Sequence, residues 1–259
     1  VPRKDLKNKP LVEALLELRW VLPGSSSPGL IEDPNYRILL GRFFERVKDD
    51  YPAHESLPTA GVPDSMVGHI AQHRFRTKVN GWPLVQLGPG LLTVNDTASY
   101  TWDDFQARCE SVVARFVESH PAIADLRLDS LALRYIDAVA FDASKEDVFK
   151  FLRDKMKTNV ALPTNLFDGP DVTPAPSTFT WQAVFPNRKP EGTVVLRFAT
   201  GIRESQPVLL WETLVSSQSG QTPKIPEGFP QWLREAHDIT DDWFFKLIEG
   251  ELERRFSGE

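Results

Sequence analysis

The tetrapeptide Leu18-Arg19-Trp20-Val21 returns as Leu133-Arg134-Tyr135-Ile136, an offset of 115 residues in a chain of 259. After each copy, the strand and helix signals run in the same order. The chain therefore reads as two tandem β-α-β-β-β-α units, residues 1–120 and 121–259, packed as one compact α+β body. Each unit would own a sheet with one apolar face, and that face must be covered. Antiparallel sheet, in one or two pieces, with helices on one side is the expected architecture.

The local pattern supports this order. Val12, Ala14, Leu16, Leu18, Trp20 and Leu22 alternate with polar residues, as in a half-buried strand. A Pro/Gly/Ser loop runs from Pro23 to Asp33, and Asp33-Pro34 opens a helix carrying Tyr36, Leu39, Leu40, Phe43, Phe44 and Val47. The Pro- and Gly-rich stretch 52–68 reads as loop. Strands are expected over 73–79, 84–87 and 91–94, the first two joined through Asn80-Gly81. Thr101 with Asp104 caps a helix whose apolar stripe includes Phe105, Cys109, Val112 and Phe116.

The second unit repeats the scheme. A strand is expected over 126–141, then a helix capped by Ser144, and a loop from Lys157 to Ser177 holding Pro163, Pro170, Pro174 and Pro176. Strands over 179–185, 194–199 and 208–214 come next. The last helix spans Phe229 to Phe256 and breaks near His237-Asp238-Ile239-Thr240, with Thr240 and Asp241-Asp242 restarting it as Thr101 and Asp103-Asp104 start the earlier one.

Charge and cysteine content narrow the function. A formal net charge of −6 disfavours a protein that coats nucleic acid through its whole field. Cys109 is the single cysteine, so no internal disulfide forms, and a reducing cytoplasmic setting is expected. The start, Val1 to Asp5, is charged and carries no secretion signal, and no apolar run is long enough for a bilayer. No membrane partner is expected.

Several blocks resemble a known group. Pro10-Leu11-Val12-Glu13-Ala14 with Glu17-Leu18-Arg19-Trp20 resembles the N-terminal signature of a sporadically distributed, functionally uncharacterised family of bacterial proteins of about this length. Leu87-Gly88-Pro89-Gly90-Leu91, Tyr100-Thr101-Trp102 with Phe105, and Leu133-Arg134-Tyr135-Ile136-Asp137 resemble its middle blocks. Ala236-His237-Asp238 and the Phe-rich helix after it resemble its end. The resemblance covers nearly the whole chain. It supplies no activity and no catalytic residues. Its patchy distribution implies mobile genes of the kind found in CRISPR-linked or toxin–antitoxin-like defence clusters.

Four candidate features emerge from the residues. Arg74, Arg76 and Lys78 share one strand face near Trp82, which suits a single-stranded nucleic acid or other anion but is also how a solvated strand face looks. Arg19 with Glu17, and Arg134 with Asp137, are read as ion pairs between the halves; the functional counterpart is an anion site there. Asp137 lies three residues after Arg134, so alternation turns it to the opposite face. Trp243, Phe244 and Leu247 belong to a broad apolar helix surface that is either core or partner interface. His69 and His73 would stand about 13 Å apart on a strand, too far to share a metal. No metal and no cofactor are expected. The favoured function is a non-catalytic accessory protein that holds a protein partner or a second copy. A nucleic-acid-binding subunit and an enzyme with a small anionic ligand between the halves are the alternatives.

Overall fold

The computed structural model describes residues 6–22, 32–63, 66, 68–97, 99–169 and 171–259. The charged start Val1 to Asp5, most of the loop from Pro23 and the expected loop residue Pro170 lie outside the described residues.

The first part of the chain forms β1 (Leu11–Trp20), α1 (Tyr36–Val47), β2 (Ala53–Ser56), β3 (His73–Arg76), β4 (Leu84–Gly88), β5 (Leu91–Asp96) and α2 (Trp102–Ser119). The second part forms β6 (Leu128–Ala140), α3 (Val148–Lys155), β7 (Thr180–Arg188), β8 (Glu191–Arg203), β9 (Gln206–Gln218), α4 (Phe229–Ile248) and α5 (Glu251–Ser257). Among the described residues nine strands join one sheet, ordered β2-β3-β4-β5-β1-β6-β9-β8-β7, and every pairing is antiparallel. The fold is mixed α+β, with a single sheet.

The central pair is β1 and β6. Leu16 faces Leu133 and Leu18 faces Leu131 across this ladder. These side chains are fully buried on the face that carries the helices. The core forms two clusters. One gathers β1, β4, β5, α1, α2 and the start of α4, but it also takes in Leu131, Leu133 and Val215 from beyond residue 120. The other joins the far ends of β6, β8 and β9 to α3, α5 and the end of α4, and Trp243 packs against both clusters. One sheet and one helix therefore run through both parts.

Some local expectations differ from the structure. The stretch Ala53–Ser56 adds an edge strand to β3, although its sequence, Ala-His-Glu-Ser, carries no strand pattern. α2 starts at Thr101, whose hydroxyl accepts from the Asp104 amide at 3.3 Å. α3 is capped by Asp147 rather than Ser144, the Asp147 carboxylate accepting from the Lys150 amide at 3.0 Å. α4 is unbroken through His237 and Thr240, and the chain breaks instead at Gly250, which adopts φ +104. Asp241 and Asp242 thus sit within a helix rather than at its start. Among the described residues, no helix is long and apolar enough to cross a membrane.

Candidate functional site

β1 carries a register shift between Leu11 and Glu13 in its pairing with β6. Such a bulge re-aims the residue beyond it. Leu11, rather than Val12, joins the wall of a cavity of about 360 Å³ beneath the helices. The run-in to β1 supplies Leu6, Lys9 and Pro10 to this wall, and the first turn of α2 supplies Trp102 and Asp103. α4 closes it with His237, Thr240, Asp241, Phe244 and Phe245. The sheet forms the base through Tyr135 and Asp137 of β6 and Thr213 of β9.

The base is polar and buried. Tyr135 is the aromatic residue of the second repeat motif. Its hydroxyl lies 2.8 Å from the Tyr100 hydroxyl and 3.1 Å from His237 Nδ1. In one arrangement Tyr100 donates to Tyr135, which donates to His237; the reverse order needs a proton on Nδ1. Burial, and next the neighbouring Tyr100, hold the Tyr135 hydroxyl well above the usual tyrosine range. It stays protonated at neutral pH. The His237 ring stacks flat on Trp102, with centroids 3.6 Å apart and planes 8° from parallel. Trp102 opens α2 and His237 lies inside α4, so this contact fixes the two helices against each other over the cavity.

Asp137 stands apart. It is 4% exposed, and its carboxyl makes no hydrogen bond and no ion pair among the described residues. Burial alone pushes its pKa up to about 8. Beside it, Thr213 is equally buried and its hydroxyl likewise makes no side-chain hydrogen bond among the described residues.

The expected inter-half ion pairs take a different form. Arg19 bonds Glu17 at 2.8 Å, but both belong to β1. Arg134 meets Glu212 of β9 at 3.5 Å, not Asp137. The reason is strand alternation: Arg134 points to the face without helices and Asp137 to the face with them. Neither pair joins residues 1–120 to the rest. Arg134 is also half-exposed rather than buried. The two arginines do border one shallow depression on the open face, together with Glu17 and Asp129, so positive and negative charges are balanced there.

At the basic strand, β3 ends at Arg76, and Lys78 lies beyond it in the exposed turn leading to β4. Asn80 in that turn adopts φ +57, which ends the alternation. Arg74 and Arg76 share one face, and both meet Glu55 of β2, at 3.5 and 3.2 Å. Arg74 also donates to Gln86, and the Arg76 guanidinium lies 5.9 Å from the Trp82 ring. The edge strand that the sequence did not reveal thus brings the carboxylate that offsets this cluster.

Trp243, Phe244 and Leu247 are half-buried against the second core cluster, and Phe244 also faces the cavity. His54 and His73 stack and bond across β2 and β3 at 2.9 Å. Among the described residues, no three potential metal ligands cluster.

Sequence reasoning missed Asp137 as a cavity residue. Its signal was present, since period two puts it on the same face as Leu131, Leu133 and Tyr135. A carboxylate at a core position of a central strand is the mark of a site or of a buried pair. A scan against protein-family models finds none that matches this chain, and a search of curated proteins finds no match to it either.

Proposed function

We propose that this protein binds a small molecule in the cavity between β6, β9, the first turn of α2 and the middle of α4. One observation carries this reading: Asp137 and Thr213, both buried and both without side-chain hydrogen bonds among the described residues, form the base of an apolar-walled cavity of about 360 Å³. Buried polar groups are costly unless satisfied. An apolar cavity with a few convergent polar groups is the common form of a small-molecule site, and this volume falls in the usual range.

The site sits where the repeat motif occurs a second time. At the first copy, Trp20 is closed in by Phe116 and His120, and its indole N–H donates to Asp33 at 3.0 Å. At the second copy, Tyr135 meets Tyr100 and His237 and borders open space. We propose that both halves descend from one duplicated unit and that the cavity formed beside the second copy of the motif, where the two halves meet. The strand order on either side of the β1–β6 pair supports this: β5, β4, β3 outward on one side and β9, β8, β7 on the other.

Thermal unfolding against a library of small aromatic and aliphatic compounds tests the ligand-binding reading. A true ligand raises the melting temperature of the wild type by mass action. It should lose that effect in Phe244→Trp, which fills the cavity. No stabilisation by any compound, together with an empty cavity in crystals soaked with the same set, would refute the proposal.

A second reading, a protein partner or a second copy, is favoured by β7. It is the last strand of the sheet, and Val184 and Phe185 on it are 55% and 42% exposed. An open strand edge with apolar side chains is a template for strand addition. Membership of a mobile bacterial defence-type module rests on the family resemblance of the sequence blocks and is compatible with either reading. Light scattering of the wild type and of Val184→Lys tests β7: a dimer that dissociates on substitution supports pairing with a second copy.

A further inference from the structure

We infer that β7 pairs with β7 of a second copy of this chain, antiparallel about a two-fold axis at Ala183, so that the sheets of two molecules join edge to edge. The inference rests on the second reading above and fixes both its partner and its register.

The two edges of the sheet are built differently. β2 closes one edge with only four residues, Glu55 among them, and a short, charged edge deters further pairing. β7 runs for nine residues, and no side chain from Thr180 to Asn187 carries a charge. β3 and β7 each lie three strands out from the central β1–β6 pair, and β2 covers the outer edge of β3. The stretch between α3 and β7 corresponds in order to the one that supplies β2, yet it forms no strand among the described residues. The edge of β7 is therefore open where its counterpart is paired.

Backbone and side chains both make this edge complementary to itself. The Thr200 amide donates to the Phe179 carbonyl at 3.0 Å, one step before the Thr180–Ala199 pair. Bonded pairs alternate in an antiparallel ladder, so Thr180, Gln182, Val184 and Pro186 turn their backbone groups away from β8. Pro186 has no N–H, which suits an outward position and ends the row of donors. About an axis at Ala183, the amides of Thr180, Gln182 and Val184 reach the carbonyls of Pro186, Val184 and Gln182 of the second copy. The missing donor then falls at the end of the ladder, whereas an axis at Val184 would set Pro186 inside it, opposite Gln182. The axis at Ala183 also places Trp181 opposite Phe185 of the second copy, twice by symmetry, whereas an axis at Gln182 would give Trp181 only Ala183. Both rings lie on the helix-bearing face, Trp181 beside Phe198 and Phe185 beside Trp243, with centroids 5.8 and 5.5 Å apart, and Phe185 keeps 42% of its surface exposed. Aromatic cross-strand pairs stabilise a sheet, and no like charges meet in this one.

The test uses the full chain with Gln182→Cys, Ala183→Cys and Val184→Cys, each mildly oxidised and run on a non-reducing gel beside the wild type, whose Cys109 is buried. Across the axis two Ala183 positions face each other without hydrogen bonds, about 4.5 Å apart, within disulfide reach. The two Gln182 positions, like the two Val184 positions, stand on a diagonal of about 7–8 Å, beyond easy reach. Ala183→Cys should therefore form the covalent dimer at least about tenfold faster than either neighbour. Should Ala183→Cys fail to fold by circular dichroism, amide exchange on the wild type decides: Thr180, Gln182 and Val184 should exchange more slowly as protein concentration rises, and no such slowing overturns the pairing. A wild-type dimer by light scattering whose crosslinking peaks at Gln182→Cys or Val184→Cys overturns the register and leaves β7 pairing in place. A dimer that none of the three crosslinks overturns the β7 pairing itself. A strict monomer at all concentrations removes the second-copy form of the second reading along with it.

Discussion

Asp137 and Trp211 face each other in the β6–β9 ladder, both buried on the helix-bearing side; the indole N–H has no hydrogen-bond partner among the described residues, and burial raises the carboxyl opposite it. An unsatisfied donor opposite a desolvated carboxyl is a concentrated cost. The protein retains them beside a cavity, so stability and site are coupled at Asp137.

That coupling has a defined pH dependence. Burial raises the Asp137 pKa to about 8 in the folded protein. Below about pH 4 the carboxyl is neutral in both folded and unfolded chains, since an unperturbed Asp titrates near there. Between about pH 4 and pH 8 only the unfolded chain ionises, so stability falls as pH rises, by at most about 1.4 kcal/mol per unit, and then levels. Asp137→Asn removes this contribution. Its stability advantage over wild type should be small at pH 5 and grow to a maximum above pH 8, as measured by urea unfolding across that range. Lys9, Asp103, His237 and Asp241 line the same cavity in both proteins, so the difference isolates Asp137. An advantage that is constant with pH would contradict the assignment.

Tyr135→Phe should cost about 1–3 kcal/mol, because it strips the hydroxyl that joins Tyr100 to His237 and leaves the buried His237 Nδ1 without it. Tyr100→Phe should cost less, since Tyr100 is only half-buried whereas Tyr135 is buried. Urea midpoints of the two variants, compared with wild type, give the order directly. Equal losses would mean that the Tyr135–His237 contact contributes nothing.

Two glycines should respond in opposite ways. A Cβ on Gly88 would lie 1.9 Å from the Ile70 carbonyl oxygen, a backbone atom that cannot swing aside. Gly88→Ala is therefore expected to destabilise by about 1–3 kcal/mol or more, as overpacking does. Gly41 lies within α1 with nothing within 4 Å of its added Cβ. Gly41→Ala should stabilise by about 0.5–1 kcal/mol, by removing unfolded-chain freedom. Chemical unfolding of both variants under one set of conditions checks the pair.

Cys109 is fully buried in the apolar face of α2, and burial raises its thiol well above the usual range. The native protein should resist a thiol-specific disulfide reagent at pH 8 and release one equivalent of the coloured product once unfolded in urea. Because the chain holds a single cysteine, the reaction rate under native conditions reports opening of that part of the core. Rapid labelling of the folded protein would show that α2 separates readily from the sheet.

The sequence alone determined what depends on neighbours along the chain. Period-two alternation marked β1 and β6, period-3.6 stripes marked α1 and α2, and Thr101 marked the start of α2 by its own hydroxyl. The order of elements about the repeated Leu-Arg-aromatic motif was also legible, because each element declares its period locally. Tertiary structure decided everything that depends on what lies opposite. Ala53–Ser56 became a strand only because β3 offered an open edge, and Glu55 then met Arg74 and Arg76. The stretch from His237 to Thr240 stayed helical because His237 stacks on Trp102 and Thr240 is buried with it, which anchors that turn from the inner side. Arg134 found Glu212 because β9, distant in sequence, lies beside β6. Asp137 could be assigned to a face from its sequence neighbours. Only the packing of α2 and α4 over that face made it an isolated carboxyl at the base of a cavity, since desolvation is set by surrounding atoms and not by residue type.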